Sequence, residues 1–326
     1  HLKNIIPEKT GLIEFVYKVV TERHFSEDII VDAMRIAETQ MMESGIVAVG
    51  DICNNVTSAL IKSNQNIRYY NFIEVSGWNP QLAVERFERS KIIYEEYFNI
   101  WQHVSIVPHA PYSVSEDLWE KITPYYSGRV VTIHNQETVH EDQFFMQGKG
   151  ELAKMYELMK IDNAFYKPPG IGSVPSYFKK LSGAASVVLV HNTFIKQADI
   201  DFINTVKPSQ QLVSFCLCPN ANMYIENALP PVDLLLKNNV NIILGTDSLA
   251  SNHQLSILEE IKTISKNFTS IKTETLLTWA TLNGANALQM SDTLGSFKPG
   301  KMPGIVLIEN VRDGVICETS TARKLL

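Results

Sequence analysis

Val130–Glu137 reads VVTIHNQE: four apolar or β-branched residues, then a histidine, two amides and a carboxylate. A run without polar alternation is what a strand looks like when both of its faces are buried. Six further runs share the pattern: Gly45–Gly50 (GIVAVG), Ile67–Val75 (IRYYNFIEV), His103–Val107 (HVSIV), Ser186–Val190 (SVVLV), Leu212–Cys218 (LVSFCLC) and Val240–Leu244 (VNIIL). Helical periodicity fills the spaces between them, at Ser26–Ser44, Asn79–Phe98, Ser115–Thr123, Glu151–Met159, Asp199–Thr205, Pro231–Lys237 and Leu255–Lys266. Strand alternating with helix predicts parallel βαβ units.

Seven strands are one short of a closed parallel barrel, which usually has eight. A helical segment around Gly11–Thr21 has no strand ahead of it, and the chain opens on His1 with no signal-peptide pattern. The expectation is an α/β fold, a (β/α)8 TIM-type barrel over 1–290 whose first strand lies before residue 1. Leu294–Val311 (LGSFKPGKMPGIVLIENV) holds turn residues and then a strand-like run with no helix behind it. Residues 291–326 are therefore expected to be a remnant of a small β-sandwich.

Composition narrows the function classes. The 326 residues are 45% hydrophobic and 20% charged, which excludes disorder as a main description. Lys plus Arg is 29 against 35 for Asp plus Glu, a net charge of −6, and a nucleic-acid-binding protein usually shows a basic face instead. No stretch of about 18 apolar residues appears, so no membrane span is expected, and the cytoplasm is the default location. Four cysteines do not make a disulfide framework in a chain this long. Cys216 and Cys218 share a strand face, either as a metal pair or as two small core residues; nothing nearby completes a tetrahedral site, which favours the core.

In a parallel barrel the catalytic groups sit at the carboxyl ends of the strands. His109, His134, His191 and Asp247 each follow a run directly or within three residues, and Glu137 stands one turn past His134. Any one alone reads as well as a hydrogen-bonded structural histidine or a helix-capping aspartate. All four at the same end of successive strands point to a site. Imidazole and carboxylate together suit one divalent metal, zinc first, with iron and manganese served by the same donors. Such a metal lowers the pKa of its water toward ~7, and Glu137 is placed to shuttle protons. Phosphate-cradling glycine loops and the Gly-x-Ser-x-Gly elbow are absent from the sequence. The lysines of Lys262–Lys272 read as a solvated face.

The blocks Pro108–Ser115 (PHAPYSVS), Ile133–Glu137 (IHNQE), Val190–Asn192 (VHN), Cys218–Asn222 (CPNAN) and Gly245–Asn252 (GTDSLASN) resemble the amidohydrolase superfamily. They most resemble its branch of cytosine/guanine, S-adenosylhomocysteine and aminofutalosine deaminases and triazine chlorohydrolases. Leu277–Leu288 and Leu294–Ile308 resemble the helix and returning strand that follow the barrel there. The resemblance implies metal ligands His134 and Asp247, with His191 orienting the water or approaching the metal. It implies that Asp247 takes a proton from the water and that Glu137 protonates the ring and the leaving group. It places His109, Phe15, Asn222 and Ser248 around the substrate. Two departures stand out: the family's His-x-His pair would lie before His1, and Gly300–Gly304 (GKMPG) replaces the usual Gly-Lys-x-Ala-Asp. The implied activity is a hydrolytic deaminase acting on a purine-like or nucleoside-like aminated ring through a metal-activated water. Chlorohydrolase, guanine or cytosine deaminase activity is the alternative, and a non-catalytic barrel scaffold the second. The expected partner is a small-molecule substrate, with a homodimer open.

Overall fold

The computed structural model describes residues 1–326. All seven expected strands form: β1 (Ala48–Cys53), β2 (Arg68–Val75), β3 (Val104–Pro108), β4 (Val130–Asn135), β5 (Ser186–His191), β6 (Leu212–Leu217) and β7 (Asn241–Leu244). They make two parallel sheets, β1-β2-β3 and β4-β5-β6-β7. The second pair of neighbours sets the site, because Asn135 of β4 sits opposite His191 of β5. A backbone bond bridges the two sheets at their carboxyl end, from the His134 N–H to the His109 carbonyl at 2.9 Å. Lower down, the Tyr70 hydroxyl of β2 accepts the Val130 N–H at 3.0 Å. No ladder joins β3 to β4 or β7 to β1, so the seven strands form a parallel α/β array of two sheets.

The expected helices appear close to their predicted places, for example Leu12–Glu22, Glu27–Glu43, Ala83–Phe98 and Ile257–Asn267. Asn79 caps the turn ahead of the third of these by accepting the Gln81 N–H, with Pro80 behind it. Two helices not read from the sequence are His140–Gln147 and Pro219–Ile225, of eight and seven residues. The first ends at Gly148, whose φ of 67° is the left-handed stop that glycine permits.

The main core lies between sheets and helices and includes Tyr70, Phe72, Val131, Leu189 and Phe215. Cys216 and Cys218 belong to it, and a Cβ at Gly245 would meet their sulfurs at 2.8 and 3.2 Å. They are core residues, and Gly245 is required where they pack. On the outer face of β1 and β2, the buried Lys62 ammonium meets Asp51 at 2.5 Å and Asn71 at 2.8 Å. The carboxyl ends carry a second cluster with Phe15, Trp78, Tyr112, Phe144, Tyr156 and Tyr224. All but Phe15 and Tyr156 come shortly after a strand, so the loops that hold the site also roof it. The tail folds as an antiparallel hairpin, β8 (Val306–Glu309) with β9 (Thr321–Lys324), and Val306 packs on Gly45 ahead of β1. No helix is long and apolar enough to cross a membrane.

Candidate functional site

His134 and His191 end adjacent strands, and their rings stack at 5.2 Å. His191 Nδ1 lies 2.8 Å from Asn222 Oδ1. An amide oxygen only accepts, so Nδ1 carries the proton and Nε2 is left with its lone pair. That Nε2 faces His134 Nδ1 at 3.1 Å and Glu137 Oε1 at 3.4 Å. Two nitrogens on a tetrahedral ion with ~2.05 Å bonds stand about 3.3 Å apart. The donor set therefore fits a zinc-like cation without moving a strand.

The electrostatics agree with that reading. Burial, reinforced by the neighbouring His109 and His191 rings, pushes the His134 pKa down to about 3. Burial and His191 push His109 down to about 4. Both rings are thus neutral at pH 7, the form that binds metal. Burial pushes Glu137 up to about 7, where a carboxyl can both give and take a proton near neutrality. Glu137 is held from below: its N–H donates to Glu141 Oε1 at 3.0 Å, and Ser173 Oγ donates to Glu141 Oε2 at 2.9 Å.

A sequence model of the amidohydrolase family matches residues 2–321. The chain belongs to the amidohydrolase family. At 24% identity over 322 residues it is similar to a 5-methylthioadenosine/S-adenosylhomocysteine deaminase of Teredinibacter turnerae, over 93% of this chain and 66% of that one. Among solved structures it is similar to an aminofutalosine deaminase of Helicobacter pylori, with TM-score 0.72 and 20% identity over 84% of this chain and 68% of that one. It is also similar to an adenosine deaminase from Xanthomonas campestris with bound zinc, with TM-score 0.69 and 20% identity over 94% and 68%. The chain spans less than two thirds of the length of the curated relatives it was compared with, from 66% of the first down to 43% of another.

Within this amidohydrolase the other expected residues divide. His109 is brought in, its ring 4.9 Å from that of His134 and its Nδ1 2.8 Å from Ser113 Oγ. Asn222 is brought in behind His191. Phe15 lies in the aromatic roof. The Asp247 carboxylate accepts the Ser251 hydroxyl on Oδ2 at 2.5 Å and is in neither group of converging donors, but its charge is felt by His109 and His134. Ser248 is exposed, its hydroxyl accepting the Ala250 N–H in a turn. Two buried polar atoms beside the site have no partner, Tyr112 Oη and Asn222 Nδ2. Such atoms are ready for a polar ligand.

Sequence reasoning missed Glu74. It is the penultimate residue of β2, its Oε1 is 3.8 Å from His134 Nε2, and with His109 and His134 it forms a second group of donors within 4.8 Å of one another. Burial raises its pKa, against the pull of His134. The available signal was a lone carboxylate inside the apolar run IRYYNFIEV, near its carboxyl end and in phase with Tyr70 and Phe72.

Proposed function

We propose that this amidohydrolase is the barrel part of a metal-dependent hydrolytic deaminase for an adenosine-like nucleoside. The observation that carries the reading is the buried pair His134 Nδ1 and His191 Nε2, 3.1 Å apart, with the Glu137 carboxyl 3.4 Å from the second. The relatives' names supply the substrate class, since those described are deaminases of 5-methylthioadenosine and S-adenosylhomocysteine, of aminofutalosine and of adenosine. His134, His191 and Asp247 would hold one zinc, the ion carried by the Xanthomonas structure. A bound zinc supplies a water that ionises near neutral pH.

The chain's own groups do the rest. Glu137 gives its proton to a ring nitrogen, which makes the amino-bearing carbon open to attack. Left as a carboxylate, it takes the proton of the added hydroxyl as the carbonyl forms and passes it to the departing amine, which leaves as ammonia. Its pKa near 7 suits both transfers. Asp247 takes the proton of the attacking water. His109, Tyr112 and Asn222 orient the ring, and Phe15 with Trp78 shields it from water. Ser248 lines the outer rim.

Two architectural expectations belong to the same proposal. The unpaired edges of β1 and β7 take one further parallel strand, which with the seven strands of 1–290 closes an eight-stranded barrel in the whole enzyme. That strand is where the resemblance puts the family's His-x-His pair. The support is the open ladder and the 39% exposed Ile52 on β1. The hairpin region 291–326 is the remnant of a β-sandwich.

The test is ammonia release by zinc-loaded full-length protein from methylthioadenosine, S-adenosylhomocysteine, guanine and a chlorotriazine. Ammonia from the nucleosides is expected, with a loss of about 10²–10⁴-fold in Glu137→Gln. Ammonia from guanine alone would remove the nucleoside assignment. Undiminished turnover in Glu137→Gln would remove the proton role.

A further inference from the structure

Glu74 is a carboxylate in the site that the proposed chemistry leaves idle. Its side chain shares the inner face of β2 with the core residues Tyr70 and Phe72, while Asn71 and Ile73 face outward toward Lys62 and Tyr97. It therefore reaches the mouth of the strands and not the helix layer. His134 presents opposite nitrogens to two different neighbours: Nδ1 to His191 Nε2 at 3.1 Å, and Nε2 to Glu74 Oε1 at 3.8 Å.

An imidazole that gives one nitrogen to a metal carries its proton on the other, and that N–H takes a carboxylate, carbonyl or water behind it. His191 already shows the device. Its rear nitrogen is fixed by Asn222 Oδ1 at 2.8 Å, which leaves the front nitrogen bare. We propose that Glu74 does the same for His134: it is a positioning residue that accepts the Nε2 proton and holds Nδ1 bare toward the metal. A separation of 3.8 Å is longer than a hydrogen bond, so the bond requires the Glu74 carboxylate to move toward Nε2 when the metal is held. The two ligands are then backed differently, His191 by a neutral amide and His134 by a carboxylate, so His134 is made the more basic donor. The inference rests on the proposed zinc centre and adds a residue that neither the motif blocks nor the strand-end rule singles out.

The test uses full-length protein with zinc and, separately, cobalt(II), comparing wild type, Glu74→Gln and Glu74→Ala. Zinc affinity is read by competition with a chelator, and the ligand field by the visible cobalt bands. Glu74→Ala should bind zinc about 10–100-fold more weakly. Glu74→Gln keeps an oxygen that accepts from Nε2, so it should lose less and leave the cobalt bands unchanged. Wild-type affinity in Glu74→Ala would overturn the inference and leave the zinc centre standing. Altered cobalt bands in Glu74→Gln would also overturn it, by making Glu74 a ligand in its own right. A wild type that takes up no metal would instead overturn the zinc centre, and this inference with it. Matching thermal melts of the three metal-free proteins separate a lost ligand partner from a lost fold.

Discussion

Replacing Glu141 by glutamine should remove a pH dependence of stability that the wild type carries. Glu141 is fully buried, and burial pushes its pKa from an ordinary 4.5 up to about 8. At pH 4 both folded and unfolded carboxyls are protonated, and the group has no effect on stability. As pH rises, the unfolded chain gives up its proton first, so stability falls until pH passes the folded value near 8. The linkage amounts to about 3 kcal/mol lost by pH 7 and about 4–5 kcal/mol by pH 9. Glutamine has the shape of the neutral acid. Its oxygen can still accept the Glu137 N–H, and its amine can donate to Ser173 once that hydroxyl turns. Glu141→Gln should therefore match wild type near pH 5 and exceed it by a few kcal/mol at pH 9. Glu141→Ala leaves the buried Glu137 N–H without an acceptor, which costs about 1–3 kcal/mol; its deficit should be plain at pH 5 and shrink at pH 9. Denaturant midpoints of the three proteins at pH 5, 7 and 9 measure this. Glutamine and wild-type curves that stay parallel across that range would refute the assignment of the proton to Glu141.

Gly245→Ala should destabilise by about 1–3 kcal/mol, because the new methyl meets Cys216 Sγ at 2.8 Å; adding Cys216→Ala should recover part of the loss, and strictly additive losses in the double variant would argue against the contact. Asn222→Leu frees the His191 Nδ1 proton and should weaken zinc binding about 10–100-fold, whereas Asn222→Asp keeps an acceptor oxygen and should hold it; chelator competition decides, and equal affinity for all three proteins would refute the positioning of His191.

The strands were legible because burial on both faces leaves a mark that survives in one sequence: every run named from VVTIHNQE outward became a strand within three residues at either end. His109, His134, His191 and Glu137 were legible because parallel strands deliver whatever follows them to one rim. Glu74 was not, because the rim rule looks past the end of a run, while a strand's last inward residue lies within it. The aim of Asp247 was not legible either. Sequence gives its place after β7, but the Ser251 hydroxyl that its Oδ2 accepts is set by the turn.

The same limit applies to the backbone. Gln136, His191, Asn192 and Asp247 have φ of 47°, 75°, 57° and 54°, the left-handed region that costs non-glycine residues on the order of 1 kcal/mol or more each. These strained residues sit at or just past the ends of β4, β5 and β7, where the site residues leave the sheet. A layer of buried amides beneath them supplies the restraint. Asn192 Nδ2 donates to the Leu189 and Cys216 carbonyls at 2.8 and 3.2 Å, and its Oδ1 accepts from Asn135. Tyr177 donates to Asn135 at 2.7 Å, and Asn252 ties the Thr246 carbonyl to Glu260. The asparagines in IHNQE, VHN and GTDSLASN thus divide the labour with their neighbours. In IHNQE and VHN the histidine faces the site and the amide after it faces down and holds the bend, while Asn252 of GTDSLASN ties the loop that carries Asp247. Strain and restraint are both local to the rim, so changes to the amides should disturb ligand geometry before they disturb the sheets.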